Sequence, residues 1–207
     1  MYQYEKHPDA IYRQSFATIR SEADLSALDV SDQVVAERMI HSCGQVDLID
    51  DLVITRGARL AGTKALQSGV PILCDSAMVA AGLLSSITNL KVVKIREPET
   101  ANLAREMGTT RSAAQVDTWL PIMTGSIILI GNAPTALFRL LELLTLNPHK
   151  MPSLLVACPV GFVGAAESKE ALVKFSPAFP FITLTGRRGG TPMTAAALNA
   201  CSVEAHS

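Results

Sequence analysis

Short apolar runs alternate along the chain with segments that have helical periodicity. The apolar runs have the length of buried strands and lie at residues 52–55, 71–74, 92–95, 126–130, 154–157 and 181–184. Helix formers fill the connections at residues 59–67, 101–107, 134–146, 167–175 and 193–200, and two further helices are predicted before the first strand. Because parallel strands need crossovers that pack against the sheet, this alternation predicts an α/β fold with a parallel sheet and helices on both faces.

The second predicted helix ends on an arginine and a histidine three residues apart, a spacing that places Arg38 and His41 on one face. Ser31 or Asp32 is the predicted N-cap, and Gly44 supplies the left-handed residue that ends the helix. The buried face is marked by an apolar stripe at three- and four-residue spacing, made of Val35, Met39, Ile40 and Cys43. His41 therefore lies in the last turn.

His41 is a candidate general acid, since imidazole is the side chain whose unperturbed pKa lies closest to neutrality. At this position the negative end of the helix dipole favours the protonated ring, whereas the nearby Arg38 cation disfavours it. The alternative is a histidine that only hydrogen-bonds the last helix carbonyls. Cys43 is not a thiol partner for His41, because two residues along a helix turn the side chain by about 200°. Cys43 is predicted to be core.

The composition and charge of the chain exclude several classes of protein. A chain of 207 residues that is 48% hydrophobic can form one well-buried domain over residues 1–207. Its net charge of -1 provides no general attraction to nucleic acid or anionic membranes. The four cysteines are too widely spaced for a zinc site, and no apolar run reaches the ~20 residues that span a bilayer. We expect a cytoplasmic protein that binds neither nucleic acid nor membrane.

Three glycine-containing loops follow predicted strands, at residues 131–135, 159–164 and 186–191. In parallel sheets, ligands bind beyond the carboxyl ends of the strands, so these loops could line one cleft. The third loop combines glycines, which allow close backbone approach, with Arg187 and Arg188, which suit carboxylate or phosphate. It predicts an anionic ligand, with a solvated loop as the alternative. For the first two loops the alternative is a simple turn.

The chain has no GxGxxG fingerprint, no GxxxxGK[ST] phosphate loop and no GxSxG nucleophile elbow. These absences disfavour nicotinamide, nucleotide and serine-hydrolase functions.

The order and spacing of eight segments resemble precorrin-8X methylmutases, the corrin-pathway family that includes the cobalt-precorrin-8 methylmutases. The segments are IYRQSF (11–16), RMIH (38–41), CDSAMV (74–79), TRS (110–112), IGNAPTAL (130–137), PVGFV (159–163), ESK (167–169) and GRRGG (186–190). The resemblance implies a three-layer flavodoxin-like fold, a homodimer, a tetrapyrrole substrate and no cofactor or metal of its own. It also implies a methyl shift from ring carbon 11 to ring carbon 12, giving hydrogenobyrinate or cobyrinate.

The resemblance places His41 at the family's catalytic histidine and Ser15 and Arg38 at substrate-binding positions. Protonation of the chromophore by His41 would make the accepting carbon electron-poor and so ease the migration. The substrate's rim carboxylates need cationic holders, for which the candidates are Arg38, Arg111, Arg187 and Arg188. Thr110, Asn132 and Gly189, which lie in the matching segments, complete the predicted substrate-binding residues.

Some of these residues have alternative interpretations. Ser15 can instead hydrogen-bond the helix carbonyl four residues earlier, and Arg111 can form a surface ion pair with a nearby glutamate. The candidate partners of Arg111 are Glu97, Glu99 and Glu106. Apolar side chains predicted either to contact the macrocycle or to join the core are Met39, Met78, Val79, Leu83 and Leu84.

Two other functions compete with the methyl shift. A tetrapyrrole carrier of the same fold would keep the cleft without turnover, but the catalytic histidine position is filled by His41. A hydrolase or decarboxylase would need an activated water or an electron sink, and the sequence has neither a metal-ligand cluster nor a cofactor motif.

Overall fold

A computed structural model describes residues 1–88, 92–93, 98–175 and 179–202. Its strands are β1 (Leu52–Ile54), β2 (Ile72–Cys74), β3 (Val92–Val93), β4 (Ile127–Ile130), β5 (Leu154–Ala157) and β6 (Phe181–Leu184). Its α-helices are α1 (Pro8–Glu22), α2 (Val30–Cys43), α3 (Ala58–Gln67), α4 (Ala77–Ala81), α5 (Ser85–Thr88), α6 (Glu99–Met107), α7 (Arg111–Thr118), α8 (Pro134–Leu146), α9 (Ala165–Phe175) and α10 (Thr191–Cys201). Two 3-10 helices are η1 (Val46–Asp51) and η2 (Leu120–Ile122).

The six predicted strands and the predicted helices are present, and the five helices predicted between and after the strands lie within two residues of their expected bounds. In the third predicted strand, residues 94 and 95 lie outside the described part of the chain. The apolar pattern did not predict α4, α5 or α7. The buried positions of α7 are Ala113, Ala114, Gln115 and Val116, so alanines and an amide take the place of the large apolar side chains that reveal a helix.

The strand order of the sheet is β1-β6-β5-β4-β2-β3. Strands β2 to β6 are parallel to their neighbours, whereas β1 pairs antiparallel with β6. The prediction of a parallel sheet is therefore wrong for this edge strand. The alternation of strands and helices does not determine the direction of β1, because β1 begins the sheet and, among the described strands, pairs only with β6, the last of them in the chain. Thr55 extends their pairing: its hydroxyl donates to the Phe181 carbonyl at 3.0 Å and accepts from the Phe181 N–H at 2.7 Å.

The sheet lies between two helical layers. Alternate strand residues pack on one face against α2, α3 and α10 and on the other face against α7, α8 and α9. Strands β2, β4, β5 and β6 are buried along their whole length. The three-layer arrangement with two helices before the first strand is as predicted.

Helix α2 begins slightly earlier than predicted. Its N-cap is Asp29, which makes no side-chain cap hydrogen bond, so the expected capping by Ser31 or Asp32 is wrong. Asp32 is instead inside the helix and buried, and this burial raises its pKa. The predicted end is confirmed, because Gly44 has a φ of 69° and its N–H donates to the Ile40 carbonyl at 2.8 Å.

The loops after β2, β4, β5 and β6 lie side by side at the carboxyl edge of the sheet, together with the first turns of α4, α8 and α10. At a strand spacing of ~4.8 Å, these four loops extend over about 14 Å. Segment η1 lies at the same edge, since the Thr185 N–H donates to the Asp51 carbonyl at 2.7 Å.

Gly189 lies where two of these loops touch. A Cβ at this position would strike the Cys158 carbonyl oxygen and lie 2.7 Å from the Pro159 carbonyl oxygen. Its φ is outside the left-handed region, so the close approach of the two backbones, rather than its own conformation, demands glycine here.

Gly189→Ala is expected to lower the free energy of unfolding by about 3 kcal/mol, because backbone carbonyls cannot move aside as a side-chain tip can. Urea unfolding measures the change. Gly69→Ala is the matched control: Gly69 has a φ of 64° and no atom within 4 Å of its Cβ direction, so it should lose only about 1 kcal/mol. Equal losses in the two variants would contradict the close-approach explanation.

Candidate active site

His41 is exposed at the carboxyl end of α2 and is held by α1. Its Nδ1 lies 2.9 Å from the Ser15 hydroxyl oxygen, and its ring stacks on Phe16 with a centroid distance of 5.0 Å and an interplanar angle of 24°. The Ser15 hydroxyl thus faces the histidine. These contacts fix the plane of the His41 ring and leave the edge that faces away from Ser15 open to the surroundings.

Arg38 lies against the same aromatic side chains. Its Nη2 donates to the Tyr12 hydroxyl at 2.5 Å, and its guanidinium carbon is 5.8 Å from both the Tyr12 and Phe16 ring centroids. The three- and four-residue spacings along α1 place Tyr12, Ser15 and Phe16 on the face that meets α2. The predicted residues Ser15, Arg38 and His41 therefore form one cluster.

Open space flanks this end of α2 on two sides. A groove of about 530 Å³ lies between α1, α2 and η1, lined by Ser15 and His41 together with Ile11, Gln14 and Val46. A second groove, of about 320 Å³, lies between α2, α4 and α10 and is lined by Ser42, Met78, Pro192 and Asn199 among others. His41 and Ser42 are consecutive, so the histidine stands between the two grooves.

The loop after β4 is fixed by a buried carboxylate. Asp75, at the end of β2, accepts backbone N–H groups from Gly131 at 3.2 Å and from Asn132 and Ala133 at 2.8 Å. Burial raises the pKa of Asp75, although the three N–H donors act in the opposite direction. Sequence reasoning did not single out Asp75, although an aspartate directly after an apolar strand in the CDSAMV segment was a usable signal.

Thr110 and Asn132 lie beside this loop. Thr110 is the N-cap of α7, where its hydroxyl accepts the Ala113 N–H at 3.2 Å and lies 2.7 Å from the Thr135 hydroxyl. The first turns of α7 and α8 are thereby joined. Arg111 and Asn132 are exposed at this place. They form a second group of predicted site residues at the carboxyl edge.

The two arginines of the third loop have different surroundings. Arg188 donates to Asp47 at 2.6 Å and lies 3.6 Å from Asp51, and the hydrogen bond to Asp47 raises the pKa of Arg188. Its charge is already balanced by two carboxylates of η1. Arg187 is exposed, with its guanidinium 5.4 Å from the Phe162 ring centroid. Of the pair, Arg187 has the geometry to meet a ligand anion.

Lys169 holds the same loop from inside the protein. Its side chain is buried, and its ammonium donates to the Arg188 carbonyl oxygen. Burial lowers the pKa of Lys169, while Cys158 and Asp51 act in the opposite direction. Lys169 lies in the ESK segment, but sequence reasoning did not assign it a role.

The predicted apolar contacts divide into core and surface. Met39, Val79 and Leu83 are buried in the core, whereas Met78 and Leu84 are exposed. Two apolar side chains that are more exposed, Phe162 and Val163, lie elsewhere on the carboxyl edge, in the loop after β5.

Within the described residues, no group of three or more histidine, cysteine, aspartate or glutamate side chains could hold a metal ion. All four cysteines are free thiols. Of the helices in the described part of the chain, none is long and apolar enough to cross a membrane.

Residues 10–203 match the family model described as precorrin-8X methylmutase. The chain is also 48% identical over 207 residues to a precorrin-8X methylmutase of Pseudomonas aeruginosa, with 99% of each protein covered. The chain belongs to the precorrin-8X methylmutase family. A family member from Sinorhizobium sp is 46% identical and covers 96% of this chain and 95% of its own length.

Similarity extends to relatives with other names and to a solved structure. The cobalt-precorrin-8 methylmutase of Priestia megaterium is 35% identical over 97% of this chain and 89% of its own. The precorrin-8X methylmutase of Thermus thermophilus superimposes with a TM-score of 0.82 at 34% identity, covering 93% of this chain and 94% of that structure. Membership of the methylmutase family confirms the resemblance predicted from the motifs and makes the chain an isomerase of cobalamin biosynthesis.

The buried lysine of this methylmutase family member makes stability depend on pH. Because burial lowers the pKa of Lys169 below its ordinary value of 10.5, the unfolded chain binds more protons than the folded chain between the two pKa values. Below the pKa of Lys169 in the folded state, the full free-energy cost of burying its protonated side chain opposes folding. This cost disappears as the pH rises to 10.5, where the unfolded chain also loses the proton. The free energy of unfolding of the wild type should therefore rise, relative to that of Lys169→Met, as the pH increases through this interval.

Urea unfolding of both proteins at a series of pH values measures that difference. Lys174→Met, which alters a lysine of the same helix whose side chain is 79% exposed, should show no such trend. A difference between wild type and Lys169→Met that stays constant with pH would refute the assignment.

Proposed function

We propose that the chain moves a methyl group from ring carbon 11 to ring carbon 12 of precorrin-8X or its cobalt complex, with His41 as the general acid and base. The observation that carries the proposal is the exposed His41 ring, paired with Ser15 and stacked on Phe16 beside open grooves, in a chain that belongs to this family. An isomerisation breaks one carbon–carbon bond and forms another, so no atoms enter or leave.

The pairing with Ser15 suits a group that gives up a proton and takes it back. A serine hydroxyl can donate to Nδ1 of neutral imidazole or accept from the Nδ1–H of imidazolium. His41 can therefore keep this hydrogen bond in both protonation states while its other nitrogen exchanges a proton with the chromophore. Proton donation makes the accepting carbon electron-poor, and the proton returns to His41 after migration.

We assign the substrate's rim carboxylates to exposed cations and helix ends of the carboxyl edge. The exposed Arg187 and Arg111 and the half-buried Arg38 supply charge, and Thr110, Asn132 and Gly189 lie in the loops that follow the strands or precede α7. Arg188 is a positioning residue in this proposal, because its Nη2 donates to Asp47 and its Nη1, which has no hydrogen-bond partner among the described residues, lies 3.6 Å from Asp51.

We also propose that residues 1–207 form one domain of the flavodoxin-like class. Without β1, the five parallel strands, renumbered in chain order, have the order 2-1-3-4-5, which is that of flavodoxin-like sheets. The homodimer and the cytoplasmic location stay predictions. A second subunit would cover the face of a flat macrocycle that one carboxyl edge leaves open.

His41→Ala should lose turnover at least 100-fold, the scale of general acid–base catalysis, while keeping tight product binding. The absorption spectrum of purified protein mixed with precorrin-8X, and separately with its cobalt complex, follows conversion. His149→Ala, which alters an exposed histidine in the turn after α8, is the control and should convert normally. Normal turnover by His41→Ala would exclude the mechanism, and tight binding without conversion by wild type would indicate a carrier instead.

Arg187→Ala and Arg188→Ala should separate binding from stability. Arg187→Ala is expected to weaken product binding about tenfold and to leave the free energy of unfolding unchanged, because Arg187 is exposed. Arg188→Ala should lower the free energy of unfolding by about 1 kcal/mol through loss of its pairs with Asp47 and Asp51. Spectroscopic titration and urea unfolding measure the two effects, and unchanged affinity in both variants would make the loop purely structural.

A further inference from the structure

The loop after β5 presents large apolar side chains to the outside. Phe162 is 85% exposed and Val163 is 88% exposed, and Val160 in the same loop is 44% exposed. Phenylalanine is ordinarily among the buried residues, so an aromatic ring that stands out from a loop is unusual. The sequence motifs place this loop beside the predicted cleft but give its apolar side chains no role.

The backbone of this loop is fastened on both sides. The Gly161 N–H donates to the Arg187 carbonyl at 3.4 Å, which ties it to the loop after β6. On the other side, a Cβ on Gly164, whose φ is 78°, would lie 3.3 Å from Pro134 and 3.4 Å from Phe138 of α8. The loop therefore rests against the start of α8, and Phe162 is held outward by its surroundings.

A positively charged side chain lies next to these exposed apolar side chains. The guanidinium of Arg187 lies 5.4 Å from the Phe162 ring centroid, within the range of a cation–π contact. Arg187 is itself exposed, so the contact orients its side chain without enclosing it. An aromatic face and a cation thus stand next to each other over β5, in the middle of the carboxyl edge.

We propose that Phe162 and Val163 form the surface on which one face of the substrate macrocycle lies, with Arg187 binding a carboxylate of its rim. This inference rests on the proposed function and adds a subsite to it. A conjugated macrocycle offers a broad flat face that an aromatic ring contacts by offset stacking. Its acetate and propionate groups project from the edge of that face, where the neighbouring guanidinium can bind one of them with two hydrogen bonds.

Charge complementarity favours this ligand over a second copy of the chain. A subunit that covered Phe162 would also cover Arg187, and a buried guanidinium needs a carboxylate partner in good geometry. A flat ligand with acidic groups on its rim satisfies both neighbours at once. The loop also lies at the carboxyl ends of parallel strands, where ligands of such sheets bind.

The test compares Phe162→Ala with Phe162→Trp in spectroscopic titrations with the corrin product. Phe162→Ala should bind at least tenfold more weakly, and Phe162→Trp, which restores an aromatic face, should bind within about threefold of wild type. Leu146→Ala is the control for loss of an exposed apolar side chain: Leu146 is 73% exposed at the opposite end of α8 and should bind as wild type does.

Arg187 provides a second measurement. Because the Phe162 ring contacts the Arg187 guanidinium and orients it toward the same ligand, the losses in Phe162→Ala and Arg187→Ala should not be additive in the double variant. Additive losses, or product affinity unchanged in Phe162→Ala, would overturn the subsite. Sedimentation of Phe162→Ala identifies the rival explanation, since unchanged affinity with a loss of dimer would assign the loop to a subunit interface.

The proposed function can fail separately. Conversion of precorrin-8X or its cobalt complex by wild type, together with wild-type affinity in Phe162→Ala, would overturn only the subsite. Absence of both binding and conversion in wild type would overturn the proposed function and the subsite that rests on it.

Discussion

A sheet that is buried on both faces confines its polar chemistry to the ends of its strands, and this constraint shapes the carboxyl edge. Strands β4, β5 and β6 are buried along their whole length, yet the backbone beyond them still carries N–H and C=O groups that need partners. Asp75 supplies the acceptor for three N–H groups after β4, and Lys169 supplies the donor for the Arg188 carbonyl after β6. Two buried charged side chains thus determine where the loops lie.

The same constraint explains why adjacent residues of one loop differ in role. The Arg188 side chain turns back toward the carboxylates of η1, whereas Arg187 turns outward over Phe162. A loop held by its backbone carbonyl and by one arginine can present the other arginine with little loss of conformational entropy on binding. Preorganisation of this kind matters for a rigid, flat ligand, which cannot adapt its own shape to the protein.

Local pattern predicted the strands and most helices because burial on both faces leaves uninterrupted apolar runs. Local pattern could not predict the direction of β1, since this direction depends on pairing with β6, a strand about 130 residues away in the sequence. In the site, the cluster of Ser15, Arg38 and His41 was predicted from motifs, but its aromatic support by Tyr12 and Phe16 was not. The buried positions of Asp75 and Lys169 were not predicted, because charged side chains normally lie in water and the hydrogen-bond partners of these two residues are distant in sequence.

The reversed edge strand has a consequence for the histidine. In a parallel sheet, the chain enters every strand at the amino edge, so a helix that leads into a strand ends on the side away from the ligand. Because β1 runs against β6, the chain enters it at the carboxyl edge instead, and the end of α2 with η1 comes to that side. The inversion of a single three-residue strand therefore brings His41 to the carboxyl edge of the sheet, from a helix that would otherwise end at the amino edge.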